Sequence, residues 1–139
     1  MKAIVRIVLA GLAVTVFGAA VGMVTCGRLF NWVYTVEPVN VWKSMEGGAP
    51  PVWFLLGEFA MAILLAAMYA MVCKGVPGGN RLVRGLLFGL LVWIVGMLPG
   101  MFATYTFMTV APVVVLYWTI HALFVLPIKG LIIAAIYGK

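Results

Sequence analysis

The sequence predicts an all-α membrane protein with four transmembrane helices. Gly85 to Ile128 runs 44 residues without a charged side chain, about twice the length one membrane-spanning helix needs. The chain is 66% hydrophobic and 9% charged, with a mean hydropathy of +1.23. A soluble domain carries about a quarter charged residues. The cations sit in short segments between apolar runs and do not gather on one face, so the net charge of +6 reads as membrane topology and not as a nucleic-acid surface.

The chain divides into spans at Ile4 to Gly27, Val52 to Cys73, Leu82 to Tyr105 and Pro112 to Tyr137, each about 20 or more mostly apolar residues. The long uncharged run must turn back at Tyr105 to Pro112, where hydroxyls gather and a proline closes the segment. The first span is read as a retained helix and not a signal peptide. Ile7 to Gly27 is long enough to cross, and Met23-Val24-Thr25-Cys26 lacks the small residue that precedes a lipidated cysteine.

Four crossings place both termini on one side, together with Lys2, Arg6, Lys74, Arg81, Arg84 and Lys139, while Arg28 and Lys43 fall on the other. Short-loop cations mark the cytoplasmic face, so the termini are expected there. Cys26 and Cys73 then lie at opposite ends, about 30 Å apart, beyond disulfide reach. With a single His and two distant Cys, no metal-ligand spacing, Cys/His dyad or haem pair is present, and no cofactor is expected.

Small residues recur at helical spacing. Gly11, Thr15, Gly18 and Gly22 line the first span, Gly85/Gly89 and Gly96/Gly100 the third, and Gly130, Ala134 and Gly138 the fourth. Such stripes let helix backbones approach closely. They serve packing within the bundle or, since a bundle of four needs no such seam on every helix, contact with a partner or a second copy. The octet Ile63 to Ala70 matches Leu131 to Gly138 in size and order, which suggests two helical hairpins in parallel orientation.

Arg84-Gly-Leu-Leu-Phe-Gly-Leu-Leu-Val-Trp93, Leu98-Pro-Gly-Met-Phe-Ala-Thr-Tyr105 and Gly130 to Gly138 together resemble small uncharacterised bacterial four-helix inner-membrane proteins. The resemblance covers roughly the last two-thirds of the chain. It implies a bacterial inner (cytoplasmic) membrane and carries no activity with it.

Ionisable residues within spans are costly and therefore functional candidates. If Trp53 and Tyr117/Trp118 mark the outer belt, Glu58 and His121 share a level. Glu58 also heads the row Ala62, Ala66, Ala70, so its carboxylate should face a packed neighbour. A Glu58–His121 pair would be a structural hydrogen bond between the second and fourth spans, or a proton or solute site. Lys129 must snorkel toward the cytoplasm or find a partner, and Pro127 can bend the helix there.

The outer segment 28–51 is rich in aromatics, with Trp32, Tyr34 and Trp42 as the candidate headgroup or partner surface. Pro38 to Glu46 could form a short interfacial helix stopped by Gly47-Gly48. Membrane lipid and other membrane subunits, or a second copy, are the expected partners. The chain is accordingly expected to be a non-catalytic subunit or scaffold. The alternative is a small proton-coupled transporter or channel using Glu58 and His121, while no catalytic set is visible for a lipid-modifying enzyme.

Overall fold

The computed structural model describes residues 2–42 and 51–138. Among them, Lys2–Leu29, Val52–Val72, Arg81–Phe107 and Pro112–Tyr137 are long and apolar enough to cross a membrane. They match the expected spans to within two residues at each end. Helix α1 (Lys2–Val24) runs into a wider π-turn at Thr25–Leu29 and then a 3₁₀ helix, Asn31–Thr35. Helix α2 is Val52–Val72. The third span is composite: α3 (Arg81–Val92), a π-turn (Trp93–Met97) and α4 (Leu98–Phe107). Helix α5 is Pro112–Tyr137.

Pro99 accounts for the break in the third span. It has no N–H to give, and its ring crowds the carbonyl four residues back. The helix absorbs this in the π-turn, where the Leu98 N–H reaches back five residues to the Trp93 carbonyl, the usual device for accommodating an interruption without ending a helix. Pro127 acts more mildly, since α5 continues through it. Asn80 caps α3 by accepting from the Val83 N–H at 2.9 Å, and α5 stops at Gly138, whose φ of +78° suits a left-handed cap. The segment 38–42 is a turn and not the start of a helix. The remainder of the expected interfacial helix, 43–46, lies outside the described residues. The ordered element of the loop is instead the 3₁₀ helix at Asn31–Thr35.

Helix α5 is the centre of the bundle. It packs most extensively on α3 and also along α1, while α1 packs on α2. Two antiparallel hairpins therefore lie side by side and join through α1 and α5. Arg6 Nη1 donates to the Tyr137 carbonyl at 3.0 Å, so a cation satisfies an orphan carbonyl at the end of α5. That contact places the start of the chain beside its last helical turn. In the core Ala10, Val14, Ala62, Ala66, Ile133 and Ala134 are almost fully enclosed. Tyr69 gathers three helices, with its ring 5.2 Å from Phe88 and 6.2 Å from Tyr137, both edge-on. Tyr69 and Tyr137 hold the same position in the two matching octets, as do the buried Ala66 and Ala134.

The cation distribution predicts a labelling result. In a Cys26→Ser/Cys73→Ser background, a membrane-impermeant maleimide added to intact cells should label Val39→Cys in the loop opposite the termini. It should miss Gly79→Cys, where a side chain would meet nothing within 4 Å. Labelling at Gly79 would reverse the orientation.

Candidate functional site

Three helices converge on one ion pair. Lys129 Nζ from α5 lies 3.8 Å from Glu58 Oε2 of α2, and the lysine chain crosses α1 at Gly18. A methyl group added to Gly18 would sit 3.2 Å from Lys129 Cε and Nζ and 3.9 Å from Glu58 Oε2. Gly18 is thus the passage through which the ammonium reaches the carboxylate. Lys129 does not snorkel to the near end of its helix, because a counter-charge is within reach across the bundle. The lysine side chain is 17% exposed and the glutamate 42%. The pair opens into a cleft of about 210 Å³ lined also by Val14, Met61, Ala62, Leu65 and Leu126. At 3.8 Å the two charges attract without a direct hydrogen bond.

His121 is not part of this pair. Its Nε2 lies 3.0 Å from Thr25 Oγ1, whose hydroxyl also reaches the Val21 carbonyl at 2.7 Å. With the hydroxyl proton committed to that carbonyl, the imidazole donates from Nε2. The expected Glu58–His121 contact fails because the two residues are at different depths. Helices α1 and α5 run antiparallel, with Thr25 beside His121 and Gly18 beside Lys129. The seven residues from Thr25 to Gly18 put Glu58 about 10 Å deeper than His121. Trp53, 72% exposed, does not share the level of Tyr117.

Around His121 the loop folds onto α5. Cys26 Sγ lies 3.3 Å from Tyr117 Oη, and Trp118 Nε1 donates to Tyr34 Oη at 2.9 Å. Trp42 Nε1 donates to the Tyr34 carbonyl at 3.2 Å. The rings of Trp42 and Tyr34 stand edge-on 5.3 Å apart over the buried Val33, Ala111 and Val114. Burial pushes the Tyr34 phenol above its ordinary value, against the opposing effect of the Trp118 hydrogen bond. Tyr34 and Trp42 are therefore packing residues and not a free surface, whereas Trp32 is 57% exposed. Thr25, Cys26, Tyr117 and Trp118 form the polar part of this layer, a role that sequence patterning does not assign to them. The signal that points to it is the run of hydroxyl, thiol and ring groups at facing ends of two spans.

The glycines separate into two groups. Gly85 and Gly130 are in backbone contact, and Gly89 lies against the Leu126 carbonyl and Pro127 Cα. Gly11 lies under Ile63, where a methyl group would approach to 2.8 Å. These four and Gly18 pack within the bundle. Gly22, Gly96 and Gly100 do not, since a side chain there would meet nothing within 4 Å. Trp93 Nε1 donates to the Thr119 carbonyl at 2.9 Å, which ties the π-turn to α5. Cys73 is enclosed and Cys26 half-buried, and both are free thiols. Among the described residues no His/Cys/Asp/Glu group could hold a metal ion, and no buried side-chain nitrogen or oxygen lacks a hydrogen-bond partner. In comparisons with protein families, curated proteins and solved structures, the chain matches none.

Proposed function

We propose that this chain is a non-catalytic subunit or scaffold of a bacterial cytoplasmic membrane, with its termini in the cytoplasm, and that it packs into a larger assembly or a homo-oligomer. The observation that carries this reading is the half-open ion pair. Glu58 is 42% exposed within a span, and a charge facing hydrocarbon costs about 3 kcal/mol. A neighbouring helix laid over the Met61 side of the cleft would lower that cost by offering the carboxylate a hydrogen-bond donor. The open positions Gly22 and Gly100 also allow close approach of a further helix.

The second reading, a small proton-coupled transporter or channel, is favoured by the 3.8 Å gap and the cleft beside it. Glu58 and Lys129 would then be the working groups, with His121 outside them. A four-helix chain with one intramembrane Glu resembles small multidrug transporters in general form, but those carry it in the first span.

Purification in native lipid particles tests the first reading. A defined oligomer or a stoichiometric companion chain is expected, with a photo-crosslinker at Met61 joining the two. Gly22→Leu should dissolve the assembly while leaving the monomer folded. A monodisperse monomer in native lipid would end the subunit reading, and proton-coupled flux lost in Glu58→Gln would establish the transporter.

A further inference from the structure

A second concave surface lies between α2 and α3 at the end bearing the termini. It is a groove of about 430 Å³, within the size range of small-molecule sites. Met68, Val72 and Val76 form one wall, and Leu91 and Val95 the other, over Phe88. No polar side chain lines it.

The mouth is the opposite in character. Residues 73–84 contain Lys74, Arg81 and Arg84 and no acid. Lys74 and Arg81 are exposed. Arg84 Nε donates to the Gly78 carbonyl at 3.2 Å, which holds the guanidinium at the turn, and among the described residues its terminal nitrogens make no hydrogen bond. The amino end of α3 adds the positive end of its peptide dipole at the same level.

Depth selects the occupant. From Arg84 to Val95 the wall rises about 16 Å, half of a hydrocarbon core about 30 Å thick. A partner helix would cross both leaflets, whereas one acyl chain crosses one. We propose that the groove binds a single anionic phospholipid from the leaflet on the side of the termini. An acyl chain lies between α2 and α3, and the phosphate is held by Lys74, Arg81 and Arg84. Basic clusters beside transmembrane helices recognise anionic headgroups in this way.

Native mass spectrometry of the purified full chain, titrated with phosphatidylglycerol or phosphatidylcholine of identical acyl chains, tests the site. One phosphatidylglycerol should bind with about a tenfold or greater preference. Lys74→Gln/Arg81→Gln should bring the two lipids to within about twofold, while the charge-matched Lys2→Gln/Lys139→Gln should retain the preference. Val72→Trp, which fills the groove from an already exposed position, should abolish the site, and soluble glycerol phosphate should not compete. Equal binding of the two lipids would overturn the proposal. So would equal losses in the two charge variants, full binding by Val72→Trp, or competition by glycerol phosphate.

Discussion

Gly130→Ala should strongly destabilise the bundle, although it adds only one methyl group and improves helix propensity. The new methyl would fall on the Gly85 carbonyl oxygen and 3.0 Å from the Gly89 nitrogen. Both are backbone atoms held by their own helix, so neither can turn aside as a side chain would. Helices α3 and α5 would have to separate along the most extensive interface in the molecule, at a cost of about 3 kcal/mol. Gly89→Ala should behave alike, because its methyl would meet the Leu126 carbonyl and Pro127 Cα. Gly22→Ala and Gly100→Ala meet nothing within 4 Å and should be neutral or gain up to about 1 kcal/mol from propensity. Thermal unfolding of the four variants in one detergent reads the contrast. Equal melting of Gly130→Ala and wild type would mean that the α3–α5 backbones do not touch.

Glu58→Gln and Lys129→Met should each destabilise the protein, and together they should cost less than either alone. Removing the carboxylate leaves an ammonium enclosed by Gly18, Val14 and Leu126 without its counter-charge. A charge isolated at that depth costs about 3 kcal/mol. Replacing both partners removes the charge altogether, which is often neutral. The double-mutant cycle should therefore return a coupling of about 3 kcal/mol or more. His121→Gln combined with Glu58→Gln should be additive, since His121 is held by Thr25. Additivity in the first cycle and coupling in the second would restore the pairing expected from the sequence.

The positions of the spans are legible in the amino-acid sequence for a reason that is local. An uncharged run of 44 residues cannot be one helix, and a proline after a polar turn marks where it reverses. Backbone groups in an apolar solvent must be bonded within their own segment, so composition alone yields the helices. The same locality makes Gly85, Gly89 and Gly130 recognisable as sites of close approach. It cannot separate them from Gly22, Gly96 and Gly100, because a small residue looks the same in sequence whether it faces a helix or open space.

The partner of each charge within the long apolar helices is decided by tertiary structure. Placing Glu58 level with His121 assumes that Trp53 and Tyr117 sit at one depth. The bundle instead draws Tyr117 beneath a loop that packs Tyr34 and Trp42 onto α5, and it brings α2 alongside the deeper part of α1. The antiparallel register of α1 and α5 then sends His121 to Thr25 and Lys129 across Gly18 to Glu58. Helix formation depends on residues within one turn of each other, and the sequence alone determines it. Depth and facing depend on how whole helices slide and rotate against one another, which is decided by contacts between residues far apart in the chain.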